Sequence, residues 1–116
     1  MILRYKPSNK WLDYINAQIH DLWLNVDDIR FDANTHRLIV PLSKKPDQPP
    51  EKSLVISEST NLTILDTENI GWYDVHSITI AEPEGRLHLK GNIPLDIFID
   101  TGLTSTVTLL LTSEIV

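Results

Sequence analysis

The chain has 116 residues, no cysteine and a formal net charge of −6. A single domain of that length buries roughly two-thirds of the surface its unfolded chain exposes, so a core needs neither disulfides nor a metal. The missing thiols exclude a disulfide scaffold, a cysteine-ligated zinc site and a cysteine nucleophile, and they suit a reducing cytoplasm.

Apolar residues make up 41% and charged residues 22%, which is a globular rather than a disordered composition. The charge is uneven. Residues 1–40 hold five basic and five acidic side chains, whereas residues 41–116 hold five basic and eleven acidic ones. Such a surface repels phosphate backbones. Nucleic acid and membranes are therefore poor partners, while a basic protein or peptide is permitted. The same charge also serves solubility. Met1 to Pro7 lacks the apolar core of a signal peptide. The longest apolar run near the end, Leu109-Leu110-Leu111, is far shorter than the roughly 20 residues of a membrane span. A soluble, cytoplasmic chain is expected.

The first element is a helix. Ser8 or Asn9 can cap it after Pro7, and Trp11, Ile15, Ile19, Leu22 and Val26 recur every three or four residues. This spacing predicts a helix over about 9–20. Residues 21–26 fit helix or strand, because Leu22-Trp23-Leu24 also reads as extended chain. From residue 29 the period becomes two. Ile29 and Phe31, then Leu38, Val40 and Leu42, flank a turn at Ala33-Asn34-Thr35, which predicts a hairpin. Pro41 suggests that its strand ends there or lies at an edge.

Residues 44–52 hold three prolines and alternating charge, and read as an exposed loop. Leu54-Val55-Ile56 and Leu62-Thr63-Ile64-Leu65 fit two short strands joined by a turn, with one long bent strand as the alternative. The sequon at Asn61-Leu62-Thr63 has no secretory signal to make it a glycosylation site. Asp66 to Gly71 is a break, and Tyr73 to Ala81 is strand-like. Glu82-Pro83-Glu84-Gly85 has the residues of a type I turn. Beyond it, Leu87 and Leu89, then Ile93, Leu95, Ile97 and Ile99, alternate with polar positions. A final strand carries Val107, Leu109 and Leu111.

Candidate chemistry is sparse. His20, His36, His76 and His88 form no local metal-binding pair, and His88, between Arg86 and Lys90, reads as a solvated side chain. Asp74 and His76 lie two apart, so on a strand they face the same side. A carboxylate there could orient an imidazole for acid–base work. Trp72 would share that face, continued by Ile78 and Ile80. Trp72-Tyr73 could also present aromatics for binding at a loop end. Against this stands the plainer account of an edge ion pair and an aromatic plug. Asp66 to Gly71 starts like a calcium loop, but Ile70 and Ser77 occupy ligand positions, so a tight turn fits better. Asp96 and Asp100 would stand about 13 Å apart along a strand, too far for a glycosidase pair. Four glycines, none close together, exclude a phosphate-cradling loop.

Residues 1–116 thus read as a single domain, mainly β (α+β). It is an antiparallel sandwich or partly open barrel of about seven to nine strands, hairpin-rich over residues 28–112, with one N-terminal amphipathic helix. No cofactor or metal is implied, and no catalytic residue stands out. The best functional reading is a small acidic non-catalytic module that binds another protein or self-associates through a sheet edge. Trp72, Tyr73, Asp74 and His76 are the candidate contact residues. The alternatives are a small-ligand-binding β domain with an apolar pocket and, behind it, a hydrolase using Asp74 and His76.

Overall fold

Period-two alternation from residue 29 onward places apolar side chains on one face of each strand, and that face needs a partner to cover it. A computed structural model describes residues 3–5, 9–66, 68–81, 86–92, 94–102 and 105–111, excepting the side chains of 3–5, 9–11 and 81. The chain runs through β1 (Leu3–Tyr5), α1 (Asn9–Ile19), β2 (Trp23–Asn25), β3 (Arg30–Asp32), β4 (Arg37–Leu42) and β5 (Lys52–Ile56). It continues through β6 (Ser59–Leu65), β7 (Trp72–Ala81), β8 (Arg86–Gly91), β9 (Asp96–Thr101) and β10 (Val107–Leu111). The expected architecture holds: mostly antiparallel β with a single helix near the N-terminus. The described strands number ten, of which β1, β2 and β3 have three residues each. Asn9 is the first residue of α1, while Ser8, the other expected cap, and the turn expected at residues 82–85 lie outside the described residues, although Ala81 does pair with Arg86.

The strands form two five-stranded sheets, ordered β1-β10-β5-β4-β3 and β2-β7-β8-β9-β6. Two corners join them. At the first, β5 and β6 are halves of one bent strand, and β10 and β9 pair with those halves in turn. Ile56 pairs with Val107 on one side of the bend, and Ser59 with Thr101 on the other. Glu58, at φ +51, turns the chain. Ser57 N–H donates to Thr106 O at 3.0 Å, and Gly102 N–H donates to Glu58 O at 3.0 Å. A Cβ on Gly102 would stand 3.0 Å from the Glu58 carboxylate, so any other residue there needs that side chain to give way by a few tenths of an ångström. At the second corner, Trp23 and Ser43 exchange backbone bonds of 2.7 Å each way, which ties β2 to the end of β4. The pairings therefore run round a ring: β2, β4, β5 with β6, β9 with β10, β8, β7 and back to β2. Strands that switch sheets at bends are the usual way to build such corners.

Pro41 sits inside β4 rather than ending it. It pairs with Ser53 on the β5 side. Its other side faces the place where the chain leaves the ladder for a 3-10 turn at Val26–Asp28. The regular pairing is already interrupted there, and a missing donor costs least at such a place.

The interior is filled by Leu38, Val40, Leu42, Leu54, Ile56, Tyr73, Val75, Ile78, Leu87, Leu89, Ile97, Ile99 and Val107, all essentially buried. The helix adds Leu12, Ile15 and Ile19 to the same core. It ends at Ile19, and Asp21, at φ +68, breaks it and leads into β2. Residues 21–26, which fit either state on pattern, are thus strand at Trp23–Asn25. Among the described residues, no helix is long and apolar enough to cross a membrane.

The helix also completes an edge. Beyond Asp74, β7 has no strand on the β2 side among the described residues. Asn16 takes that place: its Oδ1 accepts from Ile78 N–H at 2.7 Å, and its Nδ2 donates to Ile78 O at 2.9 Å. One side-chain amide stands in for a residue of a neighbouring strand. Asn16→Ala should leave both Ile78 groups unpaired in a half-buried site and cost about 1–3 kcal/mol. Urea unfolding measures this, and a loss under about 0.5 kcal/mol would show that the clamp is dispensable.

Candidate functional site

The start of β7 carries the four residues singled out in the sequence, and the structure separates them. Tyr73 is fully buried in the core, so it presents no surface. Its hydroxyl reaches the loop above, donating to the Asp66 carboxylate. Asp66 also accepts from Asn69 N–H at 2.9 Å. One carboxylate therefore organises the break between β6 and β7, as a turn rather than as a cation loop. Gly71, at φ +84, completes it, and Val26 N–H donates to Gly71 O at 2.9 Å.

Trp72 and Asp74 do share the outer face, half-buried, opposite Asn25 and Trp23 of β2. His76 does not continue their row in a regular way. Val75 pairs with Gly91 and Ser77 with Lys90, so His76 is the extra residue of a β-bulge. The bulge reverses the alternation. Ile78 is buried in the core and Ile80 packs partly against it, instead of lying beside Trp72 and Asp74. The Asp74 carboxylate accepts from Asn92 Nδ2 at 2.7 Å. The exposed His76 ring meets Ser77 Oγ at 3.0 Å and lies edge-on to His20, with centroids 6.2 Å apart. No hydrogen bond or ion pair joins Asp74 to His76 among the described residues. The acid–base pair the spacing allowed is not formed. Among the described residues, no three His, Asp or Glu side chains are placed to hold a metal.

A different face shows more organisation. On the outside of β8 and β9, His88 stacks on Phe98, with centroids 4.5 Å apart and planes 16° from parallel. His88 Nε2 lies 2.7 Å from Asp96 Oδ1. Arg86 lies over the other part of the Phe98 ring, 5.6 Å from its centroid, and donates to Asp100 at 2.8 Å. His88 is thus held against a ring and a carboxylate, with 23% of its side chain exposed, and is not the freely solvated residue its cationic neighbours suggested. Asp96 and Asp100 each pair with a cationic or imidazole group on β8 and form no carboxylate pair. The signal for this cluster is Phe98, an aromatic at a polar-face position, and the strand pairing sets His88 directly opposite it.

This outer face continues onto β6. Asn61 pairs with Asp100, Thr63 with Phe98, and Leu65 with Asp96. All three β6 residues are exposed, Leu65 by 50%. The inward residues Leu62 and Ile64 pack on the core only partly. β6 ends its sheet: β9 lies on one side, and no strand lies on the other among the described residues. Its sequence, Ser-Thr-Asn-Leu-Thr-Ile-Leu, has no charge, proline or glycine.

Compared with known proteins, the chain matches no family model, no curated protein and no solved structure.

The Asp100 carboxyl lies below the usual carboxylate range, chiefly because Arg86 donates to it. Folded protein therefore keeps Asp100 ionised at a pH where the unfolded chain has begun to protonate it. The resulting stability is present above about pH 4 and is lost as pH falls through the lowered value. Asp100→Asn should melt below wild type at neutral pH, and the gap should close as pH falls below about 4. A constant gap across that range would contradict the ion pair's role.

Proposed function

We propose that this chain is a small non-catalytic protein-interaction module that takes an extended segment of another protein onto the open edge of β6. The observation that carries this reading is the unguarded edge. Past Ser59, whose N–H donates to His36 O, no described strand lies on the outer side of β6, and β-favouring side chains with no charge or proline leave that edge unprotected. Free edges of that kind pair readily, and natural proteins usually blunt them with lysine, proline or a covering element. Adding a strand to an exposed edge is a recurrent mode of peptide recognition.

The acid–base reading of Asp74 and His76 has no geometry to support it, and Tyr73 is withdrawn into the core. Trp72, Asp74 and His76 lie on β7, three strands from β6, and are not part of the contact we propose. The absence of cysteine fits work in a reducing compartment.

The test is a selection of displayed random peptides against the immobilised chain, followed by titration of the enriched peptides into the isotope-labelled protein. Amide shifts should concentrate on residues 60–65 and their β9 partners. Shifts centred on the helix or on β1, or no enrichment at all, would overturn the reading.

A further inference from the structure

Resting on the edge reading above, we infer that the segment β6 accepts is an alternating strand, with β-branched apolar residues facing inward and arginine or lysine facing outward. The inward half follows from Leu62 and Ile64. Both pack on the core yet remain only partly buried. An added strand lies about 4.8 Å from β6. Its inward residues fall beside Leu62 and Ile64 and extend the core over them, which favours valine or isoleucine.

The outward half follows from charge. Residues 53–85 contain six acids, Glu58, Asp66, Glu68, Asp74, Glu82 and Glu84, and no lysine or arginine. β6 lies within that stretch. The next strand, β9, presents Asp96 and Asp100 at the outward positions beside Leu65 and Asn61. Each carboxylate uses one oxygen on β8, through His88 and Arg86, Asp100 also accepts from the Asn61 side chain, and each remains more than a third exposed. A carboxylate accepts several hydrogen bonds, so each keeps room for another donor. Thr63, between them, is short. An arginine or lysine stem on the added strand can lie across it and bring its charged head to Asp96 or Asp100.

A second copy of this chain fits poorly. Its β6 would offer asparagine, threonine and leucine at the outward positions and no cation. It would also bring a second net charge of −6 to the contact. An acidic or neutral segment could make the same backbone bonds but would leave the outward carboxylates without partners.

Three labelled nine-residue peptides test this on the full chain: valine alternating with arginine, with threonine, and with glutamate. Fluorescence anisotropy at low salt should rank them arginine, threonine, glutamate, with at least tenfold between the first and last. The arginine peptide should weaken steeply with salt, since exposed charges are screened. Asp96→Asn should weaken the arginine peptide several-fold and leave the threonine peptide unchanged. Thr63→Lys should narrow or reverse the arginine–glutamate order without unfolding the strand. Equal binding of all three peptides, mapped to β6, would overturn the charge preference and leave the edge reading standing. Binding that maps away from β6, or no binding by any peptide, would overturn both. A concentration-dependent dimer through β6 in light scattering would replace the proposed partner with a second copy.

Discussion

A β-strand's backbone has to be hydrogen-bonded on both edges, and that requirement shapes this molecule more than any single side chain. Most strands meet it through the ring of pairings. The bend at Ser57-Glu58 lets β5 and β6 serve one sheet each, paired with β10 and β9 in turn. The bridge between Trp23 and Ser43 closes the opposite corner. Where β7 runs past its neighbour, the Asn16 amide supplies the missing donor and acceptor. Once these contacts are made, the outer side of β6 past Ser59, whose N–H donates to His36 O, stands out as an edge with no neighbouring strand among the described residues.

The charged side chains are arranged to a consistent pattern. Arg86 with Asp100 and His88 with Asp96 pair across strands, with Phe98 between them. Such pairs set the register and give the outer face a fixed shape, each contributing modestly because it is partly solvated. Asp66 is spent on Tyr73 and on the turn, and Asp74 on Asn92. Groups that could do acid–base chemistry are therefore engaged in holding loops and strands. The acids beside β6 hold structure in the same way, Asp96 on His88 and Asp100 on Arg86, while each stays partly exposed on the outer face.

Much of the fold was legible because it depends on local period. Ile15 and Ile19 mark the buried stripe of a helix that ends where the spacing said, and Leu87, Leu89, Ile97 and Ile99 mark inward faces. What local pattern cannot carry is pairing between distant residues. The bulge at His76 depends on the register between β7 and β8, so the face shared by Trp72 and Asp74 could not be extended past it from spacing alone. Pro41 is tolerated because the chain opposite it detours at Val26–Asp28, which a proline rule read from one strand does not see. The bent strand through Ser57 was visible only as an alternative to a hairpin, since both have the same alternation. His88 looked solvated because its sequence neighbours are cations, whereas its spatial neighbours are Phe98 and Asp96.

The account stands on β6 being an open edge in the isolated protein. Amide hydrogen exchange, read residue by residue, tests that directly. Alternate amides of residues 60–65, those aimed away from β9, should exchange as fast as loop amides. Those aimed at β9, together with the amides of β5 and β8, should be protected by orders of magnitude more. Uniformly slow exchange along β6 would mean that another strand already covers it, and would contradict the account.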